Sequence, residues 1–352
     1  MGVRMKKNLG LYISIAGTIL IVALPISRTA KLIILFGAFA GLLFYRRGVL
    51  YFGKANKKLQ SGALDEVWVL YRKALKAGVA PNVRIAIASI FIQRGDVDEG
   101  KTILESYKNL TKGQTKELDA IVGILDSMVH WIEGDTKAAL KTVREVYEAG
   151  FRDSNLLVNY TTFALVERKW KEAENLLDEA DEKNIVSAGL IDNRAWLAIS
   201  KNEWVEAELI LTDLISKGPR FAEPYLHLAQ VKIHWGLIGE AIDLLAEGLK
   251  KPFVNTSGIK SAYIQDLHDR LNDPKTRRKT AMEIDQDRLA VAAGQEIKTI
   301  DQAFEPEEGL ILAGFAKRPA GRQKQKVEPE EQGPNLELTA EDLAYIEANE
   351  ER

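Results

Sequence analysis

The sequence predicts an all-α protein: two short transmembrane helices, then an α-solenoid of about six helical hairpins with a capping helix, then a charged and largely disordered tail. Three observations predict it. The first 47 residues hold two long uncharged apolar runs, a helix-turn-helix phrase returns about every 34 residues through the middle, and regular apolar periodicity fades after Asp273. The corresponding boundaries are 1–47, 48–272 and 273–352.

With 352 residues, 46% hydrophobic and 28% charged, the chain is long enough for one or two domains with a sizeable core. It holds no Cys, so thiolate nucleophiles, Cys-based zinc or iron–sulfur sites and disulfides are all excluded. The net charge of −2 hides an asymmetry. Ten basic residues precede Asp65, which is the first acid, and the remainder carries 38 basic against 50 acidic residues. A basic head points to nucleic acid or to anionic lipid, and the residues lying between its charges decide which.

Those residues are apolar. Leu9–Ile26 reads LGLYISIAGTILIVALPI and Leu32–Tyr45 reads LIILFGAFAGLLFY, both without charge. As helices they would span roughly 27 and 21 Å against a hydrocarbon core of about 30 Å. The second, taken as a helix over about 30–45, needs Ala30, Lys31 and the stretch Gly48–Phe52 to help it across, with Lys31 and Arg46 snorkelling. Pro25 and the polar Ser27-Arg28-Thr29 supply the break between the two. A secretory signal fits poorly, because no A-x-A-like site follows the first run and a second run starts almost at once. Basic residues at the start and after the second segment favour a two-pass hairpin with both ends, and hence the repeats, on the cytoplasmic side.

The recurring phrase reads SGALDEVW at Ser61, RGDVDEGK at Arg94, EGDTKAAL at Glu133, RKWKEAEN at Arg168, NEWVEAEL at Asn202 and WGLIGEAI at Trp235. Aligned anchors fall at Val67, Gly100, Ala139, Ala173, Ala207 and Ala241, with intervals of 33, 39, 34, 34 and 34. Twelve residues before each anchor stand Ala55, Ala88, Ser127, Thr161, Ala195 and Ala229, and four after it stand Tyr71, Leu104, Val143, Leu177, Leu211 and Leu245. Small residues let two helices cross closely, and a bulky one plugs the space beside the crossing.

The period and these residues resemble the tetratricopeptide repeat. The sixth unit matches best, with Tyr225, Leu228, Ala229, Ala241 and Leu245, and the fifth has Ala195, Ala207, Leu211 and Pro219. The third departs, with Gly123 and Asp126 where the bulky pair belongs and five extra residues near Asn109–Gln114. The resemblance implies that the repeats stack and that the first helix of each pair lines a concave groove. Beyond Pro252, Ser257–Asn272 reads as a helix capping the last repeat, and Ile284–Ile300 as a looser helical stretch within the tail. From Glu328 the tail carries nine acids against one base, and Thr339-Ala-Glu-Asp342 resembles a helix start.

Few groups offer chemistry. His227 and His234 lie seven apart on one helical face, but no third ligand falls within a turn, so they read as groove-wall or surface imidazoles. His130 beside Trp131 reads as interface packing. No phosphate loop, dinucleotide fingerprint or nucleophile elbow occurs. The Asn-x-Ser/Thr triplets at Asn109, Asn159 and Asn255 read as accidents of composition.

Counting back from the anchors places Met128, Trp131, Val158, Asn155, Thr162, Asp192, Trp196, Glu223 and Gln230 on the groove, among Ile and Leu positions that serve equally well as packing against the next repeat. The expected partner-binding residues are therefore Asn155, Thr162, Asp192, Trp196, Glu223 and Gln230. The repeat-packing set is Ala88, Ala139, Ala173, Ala195, Ala207, Ala229 and Ala241. The expectation is a membrane-anchored scaffold that grips a protein or peptide partner, does no catalysis and needs no cofactor or metal. An oligomerisation module is the alternative. Nucleic-acid binding is not expected, since the groove positions carry no base.

Overall fold

The computed structural model describes Ala23 and residues 25–109, 114–274 and 279–295. Among these residues the protein forms fifteen helices and no strand. It divides into two compact units, the described residues up to Ile87 forming one and those from Ala88 the other.

In the first unit, α1 (Arg28–Tyr45) starts where the Ser27 hydroxyl accepts from the Ala30 amide at 3.2 Å. Its mean hydropathy of 1.5 over 18 residues makes it long and apolar enough to cross a membrane, and none of its residues is buried. Secretion signals share that length and composition. The Leu9–Ile26 segment lies mostly outside the described residues, so one such helix is found among them rather than two.

A single residue, Arg46, separates α1 from α2 (Arg47–Gln60), and the Arg47 guanidinium sits 3.6 Å from the Phe44 ring centroid. The stretch Gly48–Phe52 therefore does not lengthen α1. It opens α2, where Gly48, Phe52, Ala55 and Leu59 form a buried stripe against α3 (Leu64–Ala77). Gly48 is required there, because a Cβ would collide with the Gly78 carbonyl oxygen. The Tyr71 hydroxyl donates to Asn56 Oδ1 at 2.6 Å across the same pair. The unit ends within α4 (Pro81–Arg94).

The second unit continues with α5 (Val97–Lys108), α6 (Lys116–Glu133), α7 (Thr136–Glu148), α8 (Ser154–Val166), α9 (Trp170–Glu182), α10 (Ala188–Ser200), α11 (Trp204–Ser216), α12 (Glu223–Trp235) and α13 (Ile238–Leu249). The helices pack as successive hairpins, α6 on α7, α8 on α9, α10 on α11 and α12 on α13. Their turns share one geometry. Each has a residue of positive φ, at Gly134, Arg168, Asn202 and Gly236, spaced 34 apart. The next amide reaches back to the helix end in all four, from Asp135 to His130 O, Lys169 to Ala164 O, Glu203 to Ala198 O and Leu237 to Lys232 O, at 2.8–2.9 Å. This is the Schellman closure, and it explains why the phrase recurs: it satisfies the last carbonyls and turns the chain in three residues. Arg168 adopts φ 57° without the freedom of glycine, at a cost of about 1 kcal/mol.

Close crossings follow from the small residues. Ala88, Ala139, Ala173, Ala195, Ala207, Ala229 and Ala241 are all fully buried, as are Ser127 and Thr161. A Cβ on Gly100 would stand 2.7 Å from Ile92 Cγ1. The plugs Val143, Leu177, Leu211 and Leu245 are buried beside them, each contributing about 1.5–3 kcal/mol by leaving water.

Between α13 and α14 (Ser261–Asn272) the chain runs as an irregular strap over 250–260 and returns to the start of the unit. The Asn255 side-chain amide donates to Ile92 O at 3.0 Å and Gly95 O at 2.9 Å, and the Asn255 backbone amide to Gln93 O at 2.8 Å. Asn255 has a structural role: its side chain satisfies carbonyls at the end of α4. The Trp131 indole likewise donates to Thr256 O at 3.1 Å. Capping begins at Ser261 rather than Ser257. Part of the presumed disordered tail is ordered as α15 (Ala281–Ala292), which opens with a Thr280–Glu283 capping box and is tied by Lys279 to Asp287. The Thr339–Asp342 start lies outside the described residues.

Candidate partner-binding site

The first helices of three hairpins, α6, α8 and α10, turn one face each toward a cavity of about 190 Å³ in the second unit, and the N-terminal end of α12 and the strap complete its wall. Helical spacing decides who lines it. Gly189, Asp192, Asn193 and Trp196 are one face of α10, at i, i+3, i+4 and i+7. Val158, Asn159, Thr162 and Phe163 come from α8, and Met128 and Trp131 from α6. Phe221 and Glu223 close the α12 end, and Thr256 and Gly258 belong to the strap.

Asn193 locks two walls together. Its Nδ2 donates to Val158 O at 3.1 Å and to Thr162 Oγ1 at 3.0 Å, a buried bridge between α10 and α8. Gly189 lets these helices approach, since a Cβ would meet Val158 Cγ1 at 2.9 Å.

Two carboxylates face the cavity. Asp192 is 4% exposed and accepts from His227 Nδ1 at 2.8 Å. A proton on Nδ1 makes that bond to the carboxylate. Among the described residues the ring's Nε2 has no partner, and neither has the Nε1 of Trp196, whose ring lies 5.3 Å from that of His227. Glu223 accepts from the Gly258 amide at 3.0 Å. Burial, reinforced by the negative charge of Asp192, pushes the Glu223 carboxyl above the usual glutamate range, against the opposing pull of its own backbone amide and that of Gly258. Among the described residues no Lys or Arg lines the cavity, and neighbouring Arg194 is turned outward onto Asp178 and Asp181.

Of the expected partner-binding residues, Thr162, Asp192, Trp196 and Glu223 meet in this cavity, together with the groove positions Met128, Trp131 and Val158. Asn155 stands exposed at the start of α8 and does not line it, and Gln230 is buried within α12 away from it. The Ile and Leu positions Leu165, Ile199, Leu226 and Ile233 are core. His227 and His234 are both buried, correcting their reading as wall or surface imidazoles. His227 is held by Asp192 as above, and His234 stacks on Trp204 at 3.8 Å. His130 remains partly exposed, 3.9 Å from Glu133. Among the described residues no three His, Asp or Glu side chains converge to hold a metal.

Sequence reasoning missed Asn193 and the strap. Asn193 falls one residue beyond the periodic count, and the strap has no period at all. Its one signal was the turn-forming cluster Asn255-Thr-Ser-Gly after Pro252. No family model matches the chain, and no curated protein matches it.

Proposed function

We propose that the protein is a membrane-anchored scaffold built of tetratricopeptide-like repeats, which captures a protein partner in the cavity between α6, α8, α10 and α12. The observation that carries this reading is the cavity itself, where aromatic walls and two carboxylates converge from four helical elements and from the strap that returns across 160 residues of sequence. Repeat faces that meet in this way display a concave surface suited to an extended peptide. α1 supplies the anchor: its apolar residues face outward all round, and one residue joins it to a packed helix. Leu9–Ile26 supplies a second pass, and the basic residues around Arg46 to Lys58 keep the repeats cytoplasmic.

A photo-crosslinking amino acid placed at Asn159, on the cavity wall, should capture a discrete partner in native membranes, whereas the same probe at exposed Lys141 on α7 should not. Equal capture at both positions, or none at Asn159, rejects the receptor reading.

A further inference from the structure

The cavity is charged on one side only. Asp192 and Glu223 present carboxylates from adjacent first helices, no Lys or Arg among the described residues lines the space, and the Arg194 guanidinium is committed to acids outside. Carboxylates withdrawn from water without a Lys or Arg partner are costly; Asp192 is buried and Glu223 half-buried, and N–H donors from His227, from Gly258 and from Glu223's own backbone offset only part of that cost. The remaining lone pairs are open to a ligand of opposite charge.

Resting on the receptor reading above, we infer that the cavity takes the guanidinium of an arginine side chain presented by an extended segment of a partner protein. Three features select it. The walls are aromatic, Trp131, Phe163 and Trp196 among them, and a guanidinium stacks on such faces and sheds water more readily than an ammonium does. Its planar fork spans two carboxylates, which a point charge does not. Trp196, itself fully buried, lines the cavity with its indole Nε1 unpartnered, and a peptide carbonyl is the acceptor that a bound main chain would bring. A divalent ion fits worse: the N–H donors of His227 and Gly258 occupy oxygens it would need, and hard cations ask for six or more.

Full-length protein in nanodiscs would be titrated with the labelled, end-blocked peptide Leu-Ala-Arg-Ala-Leu and with a twin carrying citrulline, the neutral isostere. The arginine peptide should bind roughly tenfold or more tighter, with the preference shrinking in 0.5 M salt on the order of Debye screening. Asp192→Asn, which can still accept from His227, and Glu223→Gln should each erase most of that preference. Equal binding of the two peptides overturns the arginine assignment but leaves a peptide receptor standing. Binding of neither overturns it as well, and the Asn159 crosslink then decides the receptor reading separately. Arginine amide binding as tightly as the peptide makes the occupant a small molecule and also overturns it. Because the arginine–citrulline comparison is made on the unaltered protein, the test holds even if a variant fails to fold.

Discussion

His234 carries its ring in a slot between Trp204 and Trp235, stacked on the first at 3.8 Å and edge-on to the second at 5.3 Å. Neither ring nitrogen has a partner. Burial, assisted by the positive charge of Lys279 and opposed by Asp287, pulls its pKa down to about 4. The unfolded imidazole takes its proton near the ordinary value of about 6.5, so between these limits the unfolded state binds more protons and stability falls as pH drops. The window is worth about 3 kcal/mol. His234→Phe keeps the stack and should remove that part of the pH dependence, read as a smaller loss of chemical-denaturation stability from pH 6.5 to 4 than the parent shows. An unchanged slope would mean that the ring is already charged in the fold. The side chains that pack the crossings were legible in the sequence because size alone qualifies them. A buried His was not, because its burial depends on the Trp204 and Trp235 rings that close around it.

At the scale of elements, the turns and the strap contrast. Positive-φ residues 34 apart close each hairpin with local hydrogen bonds, so the phrase that encodes them is visible in a single chain. The strap is held instead by contacts 160 residues distant, through Asn255 on Ile92 O and Gly95 O. Asn255→Ala leaves two carbonyls without these donors and should lower stability by about 2 kcal/mol in thermal unfolding. It should also speed proteolysis within 250–260, since the Asn255 side chain supplies two of the strap's long-range hydrogen bonds. Wild-type cleavage rates in the variant would show that the remaining contacts, among them Trp131 on Thr256 O, Gly258 on Glu223 and buried Ile259, retain the strap without it.

For the whole molecule, the proposed anchor is the property that composition carries furthest. α1 exposes Leu32, Ile33, Phe36, Phe39 and Phe44, each more than half accessible, a cost that lipid removes. Full-length protein should stay with vesicles through a carbonate wash. Phe36→Arg together with Phe39→Arg, at about 3 kcal/mol each on insertion, should either release the protein or move the residues after Arg47 to the other side of the bilayer, as read by protease accessibility. Unchanged retention and sidedness would mean that α1 does not cross. The charge asymmetry fits the same picture: the basic excess lies around the apolar runs, and the repeats beyond them are acidic.

The sequence by itself determined the helical hairpins, the small residues at their crossings and the apolar α1, because each is written as a local period or an unbroken run. Tertiary structure alone decided which groove positions meet in one cavity, that Gln230 and the two histidines are interior, and that the strap walls the site. Those outcomes turn on contacts between residues tens to hundreds of positions apart, where no spacing rule fixes the distance and only the packing of whole helices does.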